Sequence, residues 1–138
     1  MSAITELLRI RQWYKNLLLF APLIFAHLLF VSRDLILITL GFLVFCMVSS
    51  LLYIINDLKD CSRDAHHPQK MNRPLPSGRI SQRFAIILIL VLGAASIILC
   101  SQLPVAFSIV TLAYVVLTLG YTFYFKEIPI VDVFSLGI

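Results

Sequence analysis

Charge is the property that this sequence has least of: only 13% of its 138 residues are Asp, Glu, Lys or Arg. No charged residue occurs in residues 16–32, 35–56 or 84–125. The hydrophobic fraction is 60% and the mean hydropathy is +0.97, well above the apolar share of a soluble domain. Apolar runs of this length exclude a soluble globular domain and indicate a membrane protein.

Cysteine is scarce too, and Cys46, Cys61 and Cys100 are far apart. This spacing is not typical of a zinc site or a redox motif, so we expect reduced packing residues. No small-residue cleavage site follows the first apolar run, which argues against a cleaved signal peptide. The net charge is +4, but we expect no nucleic-acid partner because the charges flank the apolar runs.

The apolar runs predict an all-α, polytopic transmembrane bundle. A spanning helix needs roughly 20 apolar residues, so the longest run holds two helices, separated by a turn at SQLP. The predicted spans cover residues 13–31, 35–55, 84–103 and 105–125, with a partial fifth span at 128–138. Because that last segment is too short to cross a bilayer, we expect the chain to be the N-terminal part of a single longer transmembrane domain.

Basic residues are divided unequally between the two ends of these spans. Ten of the eleven Lys and Arg residues lie in the N-terminal segment up to residue 15, at the start of the first span, or in the loops after the second and fourth spans, and Arg33 lies on the other side. The positive-inside rule therefore predicts a multi-pass protein of the cell (inner) membrane. Its N-terminus and its long polar segment, residues 56–83, are expected to be cytoplasmic.

Three of the seven acidic residues lie in the polar segment. If the second helix continues past the membrane, Asp57, Asp60 and Asp64 fall within about 60° of one another on one face, with Asn56 at its edge. Carboxylates gathered in this way repel one another unless a cation joins them. Hard oxygen ligands suit Mg²⁺, so the spacing predicts a magnesium site.

Lys70 and Arg73 follow closely in the sequence, and arginine is suited to bidentate contact with phosphate. An acidic helix end beside a basic loop is what a Mg²⁺–diphosphate site requires. The alternative is a solvated loop whose acids cap helices and whose bases follow the positive-inside rule. Composition alone does not separate the two, and the ordered spacing favours the site.

The motifs of the chain resemble those of the UbiA family of membrane prenyltransferases. They are NDxxDxxxD at 56–64, RPLPSG at 73–78 and RQWYKN at 11–16. The pattern HPxKxxRP at 67–74 is similar to the branch that transfers a phosphoribosyl group to decaprenyl phosphate, rather than to the aromatic-ring or haem branches. YFKEIPIVD at 124–132 looks like the family's junction between helices four and five.

The resemblance implies a nine-helix bundle around a central cavity, of which this chain would supply four helices and part of a fifth. The family's second Asp-rich motif is missing from these residues, so the chain alone is expected to be incomplete. The implied reaction is Mg²⁺-dependent transfer from phosphoribosyl diphosphate to a polyprenyl phosphate in the membrane. Such a reaction would serve polyprenyl-linked sugar and cell-wall biosynthesis.

The resemblance also implies roles for single residues. The catalytic aspartates are Asp57, Asp60 and Asp64, which together with Asn56 would hold Mg²⁺. Substrate contacts are implied for six residues: Lys15, Asn16, Tyr53, His67, Lys70 and Arg73.

Alternatives remain both for the roles of single residues and for the function of the protein. His67 precedes a proline and can instead shape only the turn, while Tyr53 can face a cavity or simply pack. A second function is that of a UbiA-type enzyme which transfers a prenyl group to an aromatic acceptor. A third is an inactive truncated membrane fragment, or a half completed by another subunit or by self-association into a homo-oligomer.

Overall fold

The computed structural model describes residues 2–27 and 32–124. Within those two ranges every regular element is helical. The elements are α1 (Ala3–Leu7), a 3₁₀ helix (Ile10–Phe20), α2 (Ala21–Phe25), α3 (Ser32–Ala65), α4 (Gln82–Cys100) and α5 (Val105–Phe123). Of the described helices, α3, α4 and α5 are long and apolar enough to cross a membrane. The prediction of an all-α membrane bundle is confirmed.

The segment predicted as the first span differs from a continuous α-helix. Its described part is the 3₁₀ helix followed by the five residues of α2. Long 3₁₀ runs are uncommon because their hydrogen bonds have poorer geometry. Here contacts with α3 support the segment, since Trp13 Nε1 donates a hydrogen bond to Ser50 Oγ at 3.0 Å and Ser50 Oγ donates to the Leu8 carbonyl at 2.7 Å. The end of the predicted span, residues 28–31, lies outside the described residues.

The helix α3 contains 34 residues, so its length is about 51 Å at 1.5 Å per residue. A hydrocarbon core is only about 30 Å thick, so part of α3 must project beyond it. The charge-free sequence ends at Asn56, and the Asp-rich motif occupies the polar end of the helix. Continuation of the second span through this motif is therefore confirmed. The connection between α3 and α4, called the polar loop below, is shorter than predicted and covers residues 66–81.

The later elements agree closely with the predicted spans 84–103 and 105–125. Helix α4 is capped by Ser81, whose side chain accepts a hydrogen bond from the Phe84 backbone N–H, as is usual at helix N-termini. Pro104 precedes α5, as expected for the turn between two spans. The predicted loop and partial span at 125–138 lie outside the described residues.

Two buried clusters hold the helices together. The cluster at the polar end of α3 also includes residues from α1, the polar loop and α4: Leu7, Ile54, Leu75, Ile80 and Ala85. The cluster farther along the apolar part of the bundle consists of Val44, Val48, Leu52 and Leu103. The first cluster fixes both α1 and the polar loop beside the Asp-rich motif.

A close approach between α3 and α5 depends on Gly41. A Cβ atom added at Gly41 would lie 3.0 Å from Phe107 Cε2. The Phe107 ring is itself packed edge-on against Phe45, with the ring centroids 5.5 Å apart. Small residues allow membrane helices to approach in this way.

We predict that Gly41→Leu lowers the free energy of unfolding by about 1–3 kcal/mol, because the added side chain overpacks the contact with Phe107. Thermal unfolding in detergent measures the loss. The matched control is Gly93→Leu, since a Cβ atom at Gly93 meets only Leu51 Cδ1 at 3.4 Å and an apolar cavity of about 330 Å³ lies beside it. Equal losses in the two variants would contradict the proposed close approach.

Candidate functional site

The three aspartates of the motif lie on α3 and are almost completely buried. Asp57 is 4% exposed, Asp60 6% and Asp64 1%. Burial of an ionised carboxylate is costly unless a partner compensates the charge. Each aspartate has an arginine partner: Arg9 Nη2 lies 2.8 Å from Asp57, Arg63 Nη2 2.8 Å from Asp60, and Arg73 Nη1 2.7 Å from Asp64.

Arg73 joins the two ends of the acidic face. Its Nη1 atom lies 2.7 Å from Asp64 Oδ2 and 3.3 Å from Asp57 Oδ1. Lys70 Nζ lies 3.8 Å from the other oxygen of Asp64. The sequence spacing therefore does bring Asp57 and Asp64 together, and both carboxylates converge on one cationic nitrogen from the polar loop.

Short-range hydrogen bonds in the polar loop position Arg73. Ser77 Oγ donates to the Arg73 carbonyl at 2.5 Å, and the Ile80 N–H donates to the Pro74 carbonyl at 3.0 Å. Gly78 has a φ of 72°, a left-handed conformation that glycine adopts at little cost. The turn lets Leu75 and Ile80 enter the buried cluster together, which fixes the backbone on both sides of the turn.

An ion pair attaches α1 to the same loop. Arg79 donates to both carboxylate oxygens of Glu6, with N···O distances of 2.9 and 3.2 Å. A second guanidinium contact of Arg79 goes to the Asn72 carbonyl, just before Arg73 in the sequence. The N-terminal segment is thus part of the structure that supports the site.

Arg9 is a functional candidate that the sequence did not reveal. Its Nη2 atom donates to Asp57 Oδ1 at 2.8 Å, and its guanidinium carbon lies 4.6 Å from the centroid of the Tyr53 ring. Its backbone is left-handed, with φ 50° and ψ 42°, an uncommon conformation for a residue other than glycine. Sequence reasoning treated Arg9 only as one of the basic residues that flank the membrane.

A polar cavity of about 310 Å³ lies between α3 and α5 beside the acidic face. Its lining residues are Arg9, Ser49, Leu52, Tyr53, Asn56, Tyr114, Thr118, Tyr121 and Thr122. Tyr53 therefore faces a cavity, which was one of its two predicted alternatives. The polar residues of α5 were missed, because hydroxyl side chains within an apolar run give no distinct sequence signal.

Three of the predicted substrate residues lie away from the acidic face. Asn16 Nδ2 lies 3.4 Å from Cys46 Sγ and 3.4 Å from Ser49 Oγ, on the apolar part of α3. Lys15 is exposed, and none of the hydrogen bonds or ion pairs found in the described ranges involves its ammonium group. His67 is exposed, and its Nδ1 accepts a hydrogen bond from the Gln69 N–H at 3.3 Å, which matches the turn-shaping alternative. Their substrate contacts stay predictions.

The acidic face offers carboxylate oxygens to a divalent cation. Within residues 2–27 and 32–124, no three His, Cys, Asp or Glu side chains are already arranged around a metal position. However, oxygens of Asp57 and Asp64 converge on the point now taken by Arg73 Nη1, and carboxylate oxygens are the ligands that Mg²⁺ prefers. The residues fit such an ion on condition that Arg73 moves aside.

Together the fold and the site define a class: a helical membrane protein with buried, arginine-paired aspartates at the polar end of a long spanning helix. The comparison with known families gives the particular group. The chain belongs to the UbiA prenyltransferase family, whose model matches residues 17–138.

Individual relatives agree with this assignment. The chain is 38% identical over 130 residues to the decaprenyl-phosphate phosphoribosyltransferase of Corynebacterium glutamicum. This alignment covers 91% of the present chain and 39% of the C. glutamicum protein. The chain is 32% identical over 136 residues to the enzyme of that name from Mycolicibacterium smegmatis, covering 96% and 43%. It is 34% identical over 144 residues to the 4-hydroxybenzoate octaprenyltransferase of Aliivibrio salmonicida, covering 99% and 48%. The chain spans less than half the length of each of these curated relatives.

We predict that Arg73→Gln lowers the free energy of unfolding by about 3 kcal/mol, because removal of one partner leaves a buried carboxylate poorly compensated. The matched control is Arg79→Gln. The ion pair of Arg79 with Glu6 is exposed on both sides, with side-chain exposures of 43% and 40%, and pairs of this kind contribute about 1 kcal/mol or less. Thermal or denaturant unfolding of both variants in the same detergent gives the comparison, and similar losses would show that Arg73 does not hold the acidic face.

Proposed function

We propose that the protein is a membrane transferase that moves a phosphoribosyl group from phosphoribosyl diphosphate to a polyprenyl phosphate. The observation that carries the proposal is the convergence of two buried carboxylates, Asp57 and Asp64, on a cation of the polar loop. Such an arrangement suits a divalent cation and a diphosphate bound side by side. The names of the relatives from C. glutamicum and M. smegmatis support this choice of substrates.

The position of the acidic face suits a reaction between a water-soluble donor and a lipid acceptor. Asp57 follows directly on the charge-free part of α3, whereas Lys70 and Arg73 belong to the polar loop. A phosphorylated sugar would enter from the loop side, and a polyprenyl phosphate would enter from the bilayer. The excess of basic residues near this side supports a cytoplasmic orientation for the N-terminus and the polar loop.

The polar loop supplies the groups that would bind the diphosphate. Arg73 offers a planar set of N–H donors that matches phosphate geometry, and Lys70 adds a second positive charge beside it. Their side chains are 30% and 41% exposed, respectively, so solvent and ligand have access to both. Cations held in place before the reaction stabilise the charge that develops on a departing diphosphate.

The acidic face would hold Mg²⁺ through Asp57 and Asp64, with Asp60 and Asn56 beside them. When bound, the ion would neutralise charge on the diphosphate leaving group. Arg73 would then exchange its carboxylate partners for phosphate oxygens. The acceptor phosphate is already an anion, so the chain has no need to supply a general base for it.

A second candidate is transfer of a prenyl group to an aromatic acceptor. The similarity to the octaprenyltransferase of A. salmonicida favours it, and so does the tyrosine-lined cavity beside Asp57. Both reactions release diphosphate, so the acidic face alone does not separate them. The identity of the donor substrate distinguishes the two reactions.

We predict that Asp64→Asn lowers phosphoribosyl transfer by about 100-fold or more, because the variant loses a ligand for the ion that neutralises the leaving group. The assay uses membranes that carry the full-length protein, with labelled phosphoribosyl diphosphate, a polyprenyl phosphate, and Mg²⁺ or a chelator. Asp34→Asn, at the other end of α3, is the matched control and should retain activity.

Two outcomes would decide against the proposal. Activity that survives both Asp64→Asn and the chelator would remove the acidic face from the reaction. Transfer from a prenyl diphosphate to an aromatic acid, with none from phosphoribosyl diphosphate, would establish the second candidate instead.

A further inference from the structure

Arg9 has hydrogen-bonding capacity that its protein contacts do not use. A guanidinium group carries five N–H donors. The contacts of the Arg9 side chain with the described residues are one hydrogen bond, to Asp57, and one stacking contact, with Tyr53. Its side chain is 24% exposed and lines the polar cavity. Arg9 also precedes residue 17, where the match to the family model begins.

The cavity lies on the membrane side of Asp57. Its α3 lining extends from Ser49 to Asn56, which is about 10 Å of helix before Asp57 is reached. Lys59 Nζ donates to the Thr122 carbonyl at 2.5 Å, which places the end of α5 level with the Asp-rich motif. The remaining α5 lining residues therefore lie deeper, in the apolar part of the bundle.

Cations thus approach Asp57 from two directions. Arg73 comes from the polar loop, with its Nη1 atom 3.3 Å from Asp57 Oδ1. Arg9 contacts the same oxygen at 2.8 Å from the side of the cavity. A donor that enters from the loop would meet Arg73 first, whereas a lipid that enters from the bilayer would meet Arg9.

The chemistry of the cavity suits a phosphate attached to an apolar chain. Arg9 supplies positive charge, and hydroxyl groups come from tyrosine side chains of both helices, a serine of α3 and threonines of α5. A guanidinium near the membrane interior is costly unless an anion accompanies it. Asp57 supplies that anion in this structure, and an anionic ligand would supply it when Asp57 binds a metal ion.

We propose that Arg9 and the cavity that it lines bind the phosphate head group of the lipid acceptor and so select an anionic lipid over an uncharged one. This inference rests on the proposed function, because it takes the acceptor to be a polyprenyl phosphate. It assigns the two phosphate-bearing substrates to the two different arginine partners of Asp57. Arg9 becomes a specificity-determining residue for the acceptor, and Arg73 and Lys70 remain the contacts of the donor.

The first test is equilibrium binding to the purified full-length protein in nanodiscs, with farnesyl phosphate and farnesol as short probes. The wild type should bind farnesyl phosphate more tightly than farnesol. Arg9→Gln should weaken farnesyl phosphate binding by about 10- to 100-fold, the usual effect of losing a hydrogen bond to a charged group, and leave farnesol binding unchanged. Arg11→Gln changes an exposed arginine two residues away and should bind as the wild type does.

A second variant tests the inference if Arg9→Gln alone does not fold. Arg9→Gln leaves the Asp57 carboxylate without one partner, whereas Arg9→Gln combined with Asp57→Asn removes the charge from both sides. The double variant should still lose the preference for farnesyl phosphate. Retention of that preference in a folded variant would overturn the inference. So would inorganic phosphate that competes as well as farnesyl phosphate, since the site would then recognise free phosphate.

Kinetics of the full-length protein separate this inference from the proposed function. Arg9→Gln should raise KM for the polyprenyl phosphate and leave KM for phosphoribosyl diphosphate unchanged, and a change in the donor KM alone would contradict the assignment. A wild type that binds farnesyl phosphate in preference to farnesol but transfers no phosphoribosyl group would contradict the proposed function and leave the acceptor site supported.

Discussion

Compensation of buried negative charge governs the arrangement of this protein. Asp57 and Asp64 are almost completely buried on α3, and an unpaired carboxylate in such a place would be strongly destabilising. Their partners come from different parts of the chain: Arg9 precedes the 3₁₀ helix, whereas Lys70 and Arg73 belong to the polar loop. The hydrophobic cluster at the polar end of α3 holds both segments where these ion pairs form. Packing and electrostatics therefore support the same local structure.

The same ion pairs bear on the proposed function. Buried pairs contribute little net stability compared with apolar packing, so stability alone does not account for three buried aspartates. Arg73 stabilises the carboxylates of Asp57 and Asp64. Under the proposed function, a metal–diphosphate ligand would bring both charges, with the metal as the new partner of the carboxylates and the phosphate as the new partner of the guanidinium.

The sequence predicted those features that depend on local pattern. Run length and the SQLP turn gave the positions of α4 and α5, and the i, i+3, i+7 spacing placed Asp57 and Asp64 on one face of a continued helix. Features that depend on tertiary contacts could not be predicted from the sequence. The 3₁₀ form of the first segment is supported by hydrogen bonds such as that of Trp13 to Ser50. The Arg9–Asp57 pair joins residues 48 positions apart, and no periodicity in a single sequence reports such a contact.

The proposed function depends above all on one proposal, that the acidic face holds a divalent cation together with the diphosphate of the donor. Its most direct test is electron–nuclear double resonance on the full-length protein with Mn²⁺ in place of Mg²⁺ and phosphoribosyl diphosphate added. We predict a ³¹P hyperfine coupling to the bound Mn²⁺ that disappears in Asp64→Asn. Mn²⁺ that binds without any ³¹P coupling, or a coupling that persists unchanged in that variant, would contradict it.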